Sequence, residues 1–244
     1  MNGKRIIIIG ATSGIGYEVA RIYIERGYTV GLAGRRVERL EEFQASAPGR
    51  VHIKRLDVTA EDAPARLEEL IDETGGMDIF LLCAGIGKQN LALDSDIEQA
   101  TLQTNVTGFT RMVVAAYQYF TRKGGGHIAV ISSIAGTKGL GAAPSYSASK
   151  GFQNLYIDAL AQLSRMERRP IAFTDIRPGF VRTDLLNDGK RYPALMSPAY
   201  VARQIARAID RKKRRAIIDG RYALLVFLWR LIPAWLWERL PIRN

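Results

Sequence analysis

Tyr146 and Lys150 bracket the segment YSASK. On a helix, positions four apart lie one above the other on the same face. The two side chains would then share one environment. A phenol with its ordinary pKa of about 10 is a poor proton donor or acceptor at neutral pH. A nearby ammonium favours the phenolate and lowers that pKa, which makes tyrosine a usable general acid or base. Taken alone, the spacing fits a half-exposed helix face just as well, so its surroundings decide.

A second cluster lies near the start of the chain. GATSGIG, Gly10 to Gly16, follows four isoleucines and opens a helical pattern. Gly10, Gly14 and Gly16 allow a tight turn and close approach of the backbone to a ligand, with Thr12, Ser13 and Ile15 between them. The helix start would offer free N–H groups and positive potential to a phosphate. The next apolar run ends in AGRR, Ala33 to Arg36, about 18 residues past Gly16. An acidic residue there would hold the ribose 2′-hydroxyl of NAD. Arg35 and Arg36 instead suit a 2′-phosphate, which predicts NADP(H) over NAD(H).

Positioning these groups needs a scaffold, and the sequence alternates short β-rich runs with longer helical patterns. Strands are expected at Arg5–Ile9, Thr29–Ala33, Val51–Leu56, Asp78–Cys83, His127–Ile131, Ile171–Ile176 and Arg215–Ile218. Helices are expected between them, among others at Gly14–Arg26 and Asp96–Arg122. Runs such as IFLLCAG and IAVIS are nearly continuous in apolar residues, as parallel strands buried on both faces require. Strands separated by helix-length segments predict right-handed crossovers. The fold class is therefore α/β: a Rossmann-type, doubly wound parallel sheet of about seven strands with helices on both faces. No repeat or linker divides residues 1–244, so one domain is expected.

The chain of 244 residues is long enough for a large single core, and 47% hydrophobic with 24% charged residues is ordinary globular material. A single cysteine, Cys83, excludes an internal disulfide. Four isoleucines are too short for a signal-peptide core, so a cytoplasmic protein is expected. His52 and His127 stand apart from any Cys/His/acid cluster, which gives no metal site. Ser132 and Ser133 lack the G-x-S-x-G context of a hydrolase. The net charge of +11 is uneven: residues 1–164 hold 17 basic and 17 acidic residues, and residues 165–244 hold 18 and 7. That asymmetry raises a nucleic-acid or membrane-facing end, but no stacking platform or recognition-helix pattern supports nucleic acid.

Taken together the motifs resemble the short-chain dehydrogenase/reductase family over roughly residues 4–219. They are GATSGIG, LDVT (Leu56–Thr59), CAG (Cys83–Gly85), TNVTG (Thr104–Gly108), ISSIAG (Ile131–Gly136), YSASK and RPGFVRT (Arg177–Thr183). The resemblance implies an oxidoreductase that reduces a ketone or aldehyde, or oxidises the matching secondary alcohol, by hydride transfer. Tyr146 would be its general acid/base and Lys150 would lower the Tyr146 pKa and hold the nicotinamide ribose. Ser133 would hydrogen-bond the substrate oxygen, and Asn105 would complete a proton relay through water. Asp57 and Val58 would lie near the adenine, Ala84 and Gly85 would line the cofactor cleft, and Pro178, Gly179, Val181 and Thr183 would meet the nicotinamide end. The family is usually homodimeric or homotetrameric. Two departures stand out: Cys83 replaces an asparagine, expected to alter strand contacts, and Ile9 replaces a threonine. A catalytically silent NADP-binding sensor or scaffold is the alternative, and a broken tetrad would be its mark. Asn105, Ser133, Tyr146 and Lys150 are all present.

Two regions lie outside the motifs. Residues 180–196 are expected to form a substrate lid. An apolar extension, about 220–244, carries three tryptophans but no uninterrupted apolar run longer than eight residues, Tyr222–Trp229. That is short of the roughly 20 that span a bilayer. Residues 211–240 would suit a helix pair lying on a membrane surface, a cover over a lipophilic substrate pocket, or an oligomer contact.

Overall fold

The computed structural model describes residues 3–186 and 192–242. Seven parallel strands form one sheet: β1 (Arg5–Ile9), β2 (Thr29–Gly34), β3 (Val51–Arg55), β4 (Ile79–Leu82), β5 (Gly126–Ile131), β6 (Ile171–Arg177) and β7 (Arg215–Ile217). Their order is β3-β2-β1-β4-β5-β6-β7. The chain winds outward from β1 to β3, returns to β4, and winds outward again to β7. The reversal lies between β1 and β4, which are hydrogen-bonded neighbours. Ligands of such sheets bind outside the carboxyl ends of the strands at that point.

The isoleucine run shows why a parallel sheet forms. Ile6, Ile7, Ile8 and Ile9 are all essentially inaccessible. Side chains alternate across a strand, so Ile6 and Ile8 enter one core and Ile7 and Ile9 the other. The first core is closed by α1 (Gly14–Glu25), α2 (Glu38–Ser46), α7 (Pro198–Asp210) and α8 (Gly220–Leu231). The second is closed by α3 (Ala63–Glu73), α5 (Phe109–Lys123) and α6 (Pro144–Met166). A short α9 (Ala234–Trp237) follows α8. Among the described residues no helix is long and apolar enough to cross a membrane.

One expectation needs correction. The single helix read over Asp96–Arg122 is broken into α4 (Ser95–Leu102), a π-helical segment Gln103–Gly108, and α5. The Phe109 N–H donates to Thr104 O, five residues back. Such widened turns cluster at functional sites, and this one holds Asn105. Hydrophobic periodicity cannot see it, because a single extra residue per turn leaves the flanking apolar stripes intact.

Only the two ends of the expected lid are described; residues 187–191 lie outside the described residues. Val181 bridges to Met196. The Tyr222 hydroxyl of α8 accepts from Phe180 N at 3.1 Å and donates to Pro193 O at 2.8 Å, tying both ends to the extension.

Candidate active site

Every motif named from the sequence, YSASK and TNVTG apart, directly follows a strand at the carboxyl edge of the sheet. YSASK joins them because Pro144 starts α6 directly after the loop that follows β5. Proline is pre-organised for a first helical turn and its missing N–H costs nothing there. Tyr146 then falls in the first turn and Lys150 in the next.

The phosphate loop is built by close approach. Gly10 has φ +88°, and a Cβ there would stand 2.6 Å from Ala84 N. A Cβ on Gly16 would stand 2.2 Å from Gly10 O. Only glycine lets α1 begin this near the β1–β4 junction. Ser13, the residue before α1, is extended and makes no capping bond, so the first N–H groups of the helix keep their capacity for a phosphate. Arg36 reaches over this loop: Nη2 donates to Ser13 Oγ at 2.8 Å and stands 3.4 Å from Thr12 Oγ1. Arg35 is exposed and does not join it. Its charge is felt instead at Asp57. Burial pushes that carboxyl up, but hydrogen bonds from Thr59 N and Oγ1 and the Arg35 charge hold it below the usual range. Thr183 lies against Gly14, bringing the segment after β6 onto the loop. Gly179 is packed by the Tyr222 ring, with no room for a Cβ. These residues fit a dinucleotide: an uncapped helix start, a glycine cradle and a guanidinium at the end of β2.

The reacting end is buried and hydrogen-bonded. Ser133 is extended at the end of β5; its Oγ accepts from Ala135 N at 3.1 Å. The Tyr146 ring lies on the backbone of Gly87, where a Cβ would meet it at 2.3 Å. Burial raises the Tyr146 pKa, and a hydrogen bond with Ser133 works against that rise. The Lys150 ammonium sits 5.8 Å from the Tyr146 ring centroid. It donates to Ile131 O at 3.1 Å and Gln153 Oε1 at 3.0 Å. In this arrangement it is not aimed at the phenol oxygen, and the lowering of the Tyr146 pKa expected from it is absent. Burial lowers Lys150 itself to about 8, with the Asp175 carboxylate resisting.

Asn105 is fully buried. Its side chain clamps the loop after β4, donating to Ile86 O at 2.7 Å and accepting from Ile86 N at 2.9 Å. Its carbonyl accepts from Gln153 Nε2 at 2.8 Å. The Gln153 side chain thus joins Lys150 to the Asn105 backbone. The sequence reading passed over Gln153, although its place three residues after Lys150 puts it on the same helix face. It also passed over Asp175, which is fully buried in β6, accepts from Ser132 Oγ and Arg177 Nε, and lends Lys150 its negative field. The i, i+2 spacing of Asp175 and Arg177 was the available signal, since alternate strand residues share a face.

Cys83 keeps the strand contact at its position, its N–H donating to Ile9 O at 2.8 Å. Burial pushes its thiol up to about 12, with Lys150 pulling the other way. A thiol so rarely ionised at neutral pH is inert.

Residues 4–192 match the family model for short chain dehydrogenases. The chain belongs to the short-chain dehydrogenase family. As a member it is an oxidoreductase working with a nicotinamide cofactor. It is 31% identical to an uncharacterised oxidoreductase of Mycobacterium tuberculosis, over 97% of this chain and 96% of that one. It is 32% identical to the bovine (Bos taurus) dehydrogenase/reductase SDR family member 7B, over 93% of this chain and 77% of that one. The fold is shared with a polyketide ketoreductase solved with NADPH, at a TM-score of 0.78 and 22% identity, over 89% and 96% of the two chains. Within this short-chain dehydrogenase, Gly85 lies between the two groups: it follows Ala84, which packs on Gly10, and a Cβ on it would stand 3.3 Å from Asn105 Oδ1 and 3.4 Å from Lys150 Nζ.

Proposed function

We propose that the protein is an NADP(H)-dependent reductase of ketones or aldehydes, able to run backward on the matching secondary alcohols. The observation that carries this reading is the Arg36 guanidinium hydrogen-bonded to Ser13 at the phosphate loop, in a chain that also pairs Tyr146 with Lys150. A guanidinium there complements a 2′-phosphate; its one acidic neighbour, Asp184 at 3.8 Å, comes from the segment after β6 and not from the end of β2, where an acid for a 2′-hydroxyl would stand. The ketoreductase of the same fold was solved with NADPH, which agrees.

When bound, the nicotinamide supplies the hydride. Gly10, Thr12, Ser13, Gly14, Ile15 and Gly16 would hold the pyrophosphate. Arg35 and Arg36 would hold the 2′-phosphate, Asp57 and Val58 the adenine side, and Ala84, Gly85, Pro178, Gly179, Val181 and Thr183 the nicotinamide side. Tyr146 Oη gives its proton to the substrate oxygen, and Ser133 Oγ donates to the same oxygen as negative charge develops. With a pKa near 8, Lys150 is mainly an ammonium at neutral pH. It would donate to the ribose and supply positive charge 5.8 Å from the Tyr146 ring centroid. Gln153 fixes its direction from below. An intact tetrad speaks against the silent sensor.

A homo-oligomer fits this reading. Leu155, Leu163 and Met166 form an exposed stripe at helical spacing along α6, the kind of face that association covers.

The test is oxidation of NADPH and NADH against a panel of carbonyl compounds, with Tyr146→Phe as control. Turnover with NADPH should fall by about 10²–10⁴-fold in the variant, without loss of NADPH binding. Equal turnover in the variant would sink the assignment.

A further inference from the structure

Helix α8 carries two apolar stripes. Tyr222, Val226 and Trp229 turn inward and pack on the core. Leu224, Phe227, Leu228 and Leu231, spaced i, i+3, i+4, i+7, turn outward, each more than half exposed. Beyond the Pro233 corner, Trp235 is 61% exposed and carries Arg239 over its ring at 5.3 Å. Contiguous apolar surface of this kind is scarce on soluble monomers and marks a binding face. The helix has no polar side to offer water: only Arg221 and Arg230 flank the stripe.

Next to it lies a basic cleft. Arg207, Arg211, Lys213 and Arg215 line an open groove between α7 and β7 that reaches Ala223 in the first turn of α8. Its one acidic wall residue, Asp219, is tied to Arg221 at 2.9 Å. Arg215 is shared with Asp158 at 2.7 Å. Arg207, Arg211 and Lys213 carry no ion pair among the described residues. This is where the charge excess of residues 165–244 gathers.

We propose that α8 and α9 dock on an anionic lipid surface, the outward stripe entering the headgroup–acyl boundary and the basic cleft meeting lipid phosphates. Apolar residues backed by lysine and arginine are the composition such interfacial helices need. A second copy of the chain is the poorer occupant: a symmetric contact would gather two copies of Arg221, Arg230 and the basic cleft at one interface, with +11 on each partner. The end of α8 and α9 also grip the segment between β5 and α6. Lys138 Nζ donates to Ile232 O at 2.7 Å, and Trp237 Nε1 to Gly139 O at 2.7 Å. The segment they grip leads directly to Tyr146. Resting on the reductase reading, this places the substrate mouth at the lipid, so the substrate class is a membrane-dissolved, lipophilic carbonyl.

The experiment is flotation of the full chain with vesicles of phosphatidylcholine alone and of phosphatidylcholine mixed with phosphatidylglycerol, without cofactor or substrate. Binding should favour the anionic vesicles, weaken with added salt and shift tryptophan emission to the blue. Phe227→Asp/Leu231→Asp and Arg211→Glu/Lys213→Glu should each weaken binding by about tenfold or more. Both should keep NADPH turnover on a water-soluble carbonyl unchanged. Wild-type binding by either variant overturns the proposal, as does absence of binding to anionic vesicles. So does a dimer that Phe227→Asp dissolves, which would give the face to a second copy. Lipid binding and soluble turnover are separate readouts, so either reading can fail alone.

Discussion

Lys150 and the outer stripe of α8 are opposites. One is an ammonium only 5% exposed; the other is four large apolar side chains left open to water. Each defies the ordinary partition of polar and apolar groups. They differ in how the rest of the molecule treats them. Lys150 is held by Ile131 O and Gln153, and the Asp175 field offsets part of its desolvation. Its cost is met inside the fold, which is what a site working in every turnover requires. Among the described residues nothing covers the α8 stripe, which is why the docking proposal gives it an external partner. Local rules break at functional positions, and the presence or absence of internal compensation separates a catalytic site from a docking face.

The sharpest way to break the comparison is Lys150→Met, which keeps the volume and removes the charge. Turnover should fall by about 10²–10⁴-fold. Burial of the charge is a net cost, so the variant should unfold at equal or higher denaturant concentration than the wild type. Loss of both activity and stability would mean that the ammonium is structural. A smaller effect is expected at the far end of the cleft. Arg36→Ala removes a charged donor worth about 1.5–3 kcal/mol, so the KM for NADPH should rise about 10–100-fold while that for NADH stays. Parallel rises for both cofactors would strip Arg36 of its 2′-phosphate role.

Gln153 sharpens the comparison, because it is the internal compensation itself. Gln153→Leu leaves Lys150 with one acceptor fewer for its ammonium, so the charged form is less favoured and its pKa drops below about 8. The alkaline limb of the reductase pH profile should move to lower pH, with turnover at pH 7 reduced about tenfold or less. Gln153→Glu should move the limb the other way. A profile unmoved by both substitutions removes Gln153 from the positioning of Lys150.

The sheet was legible because its evidence is local and redundant. Four consecutive isoleucines, or IAVIS followed by a helix-length gap, admit few structures besides a buried parallel strand. Boundaries shifted by a residue or two where side chains took other work: Asp78 lies outside β4 and holds Arg5 and Lys123. The phosphate loop and Tyr146–Lys150 were legible because their spacing is chemistry. Three things were not. The π-helical turn at Asn105 leaves the apolar periodicity unchanged. The Lys150–Gln153 half of the bridge was there in the i, i+3 spacing, but its other half, Gln153 to the Asn105 backbone, depends on two helical segments meeting side by side. The outward stripe of α8 lay inside an apolar extension that suited a membrane surface, a pocket cover or an oligomer contact alike; only the inner stripe of Tyr222, Val226 and Trp229 shows which side the protein kept.

The smallest effect concerns a buried group outside both regions. His127 in β5 is 4% exposed and shares a hydrogen bond of 2.8 Å with Thr174 Oγ1. Burial lowers its pKa to about 4, and the charge of Lys212 adds to that. Between pH 6.5 and 4 the unfolded chain therefore carries a proton on this residue that the native protein refuses. Stability rises with pH wherever the unfolded state binds more protons. The contribution of His127 is thus complete above about pH 6.5 and is lost as pH falls toward 4, amounting to about 3 kcal/mol over the whole window. Urea unfolding at pH 7.5 and pH 5 should show a steeper loss for the wild type than for His127→Gln, with turnover at pH 7.5 alike in both. Parallel slopes would mean that His127 accepts its proton in the folded state, and that this interior, unlike the one around Lys150, opens to water when a charge forms in it.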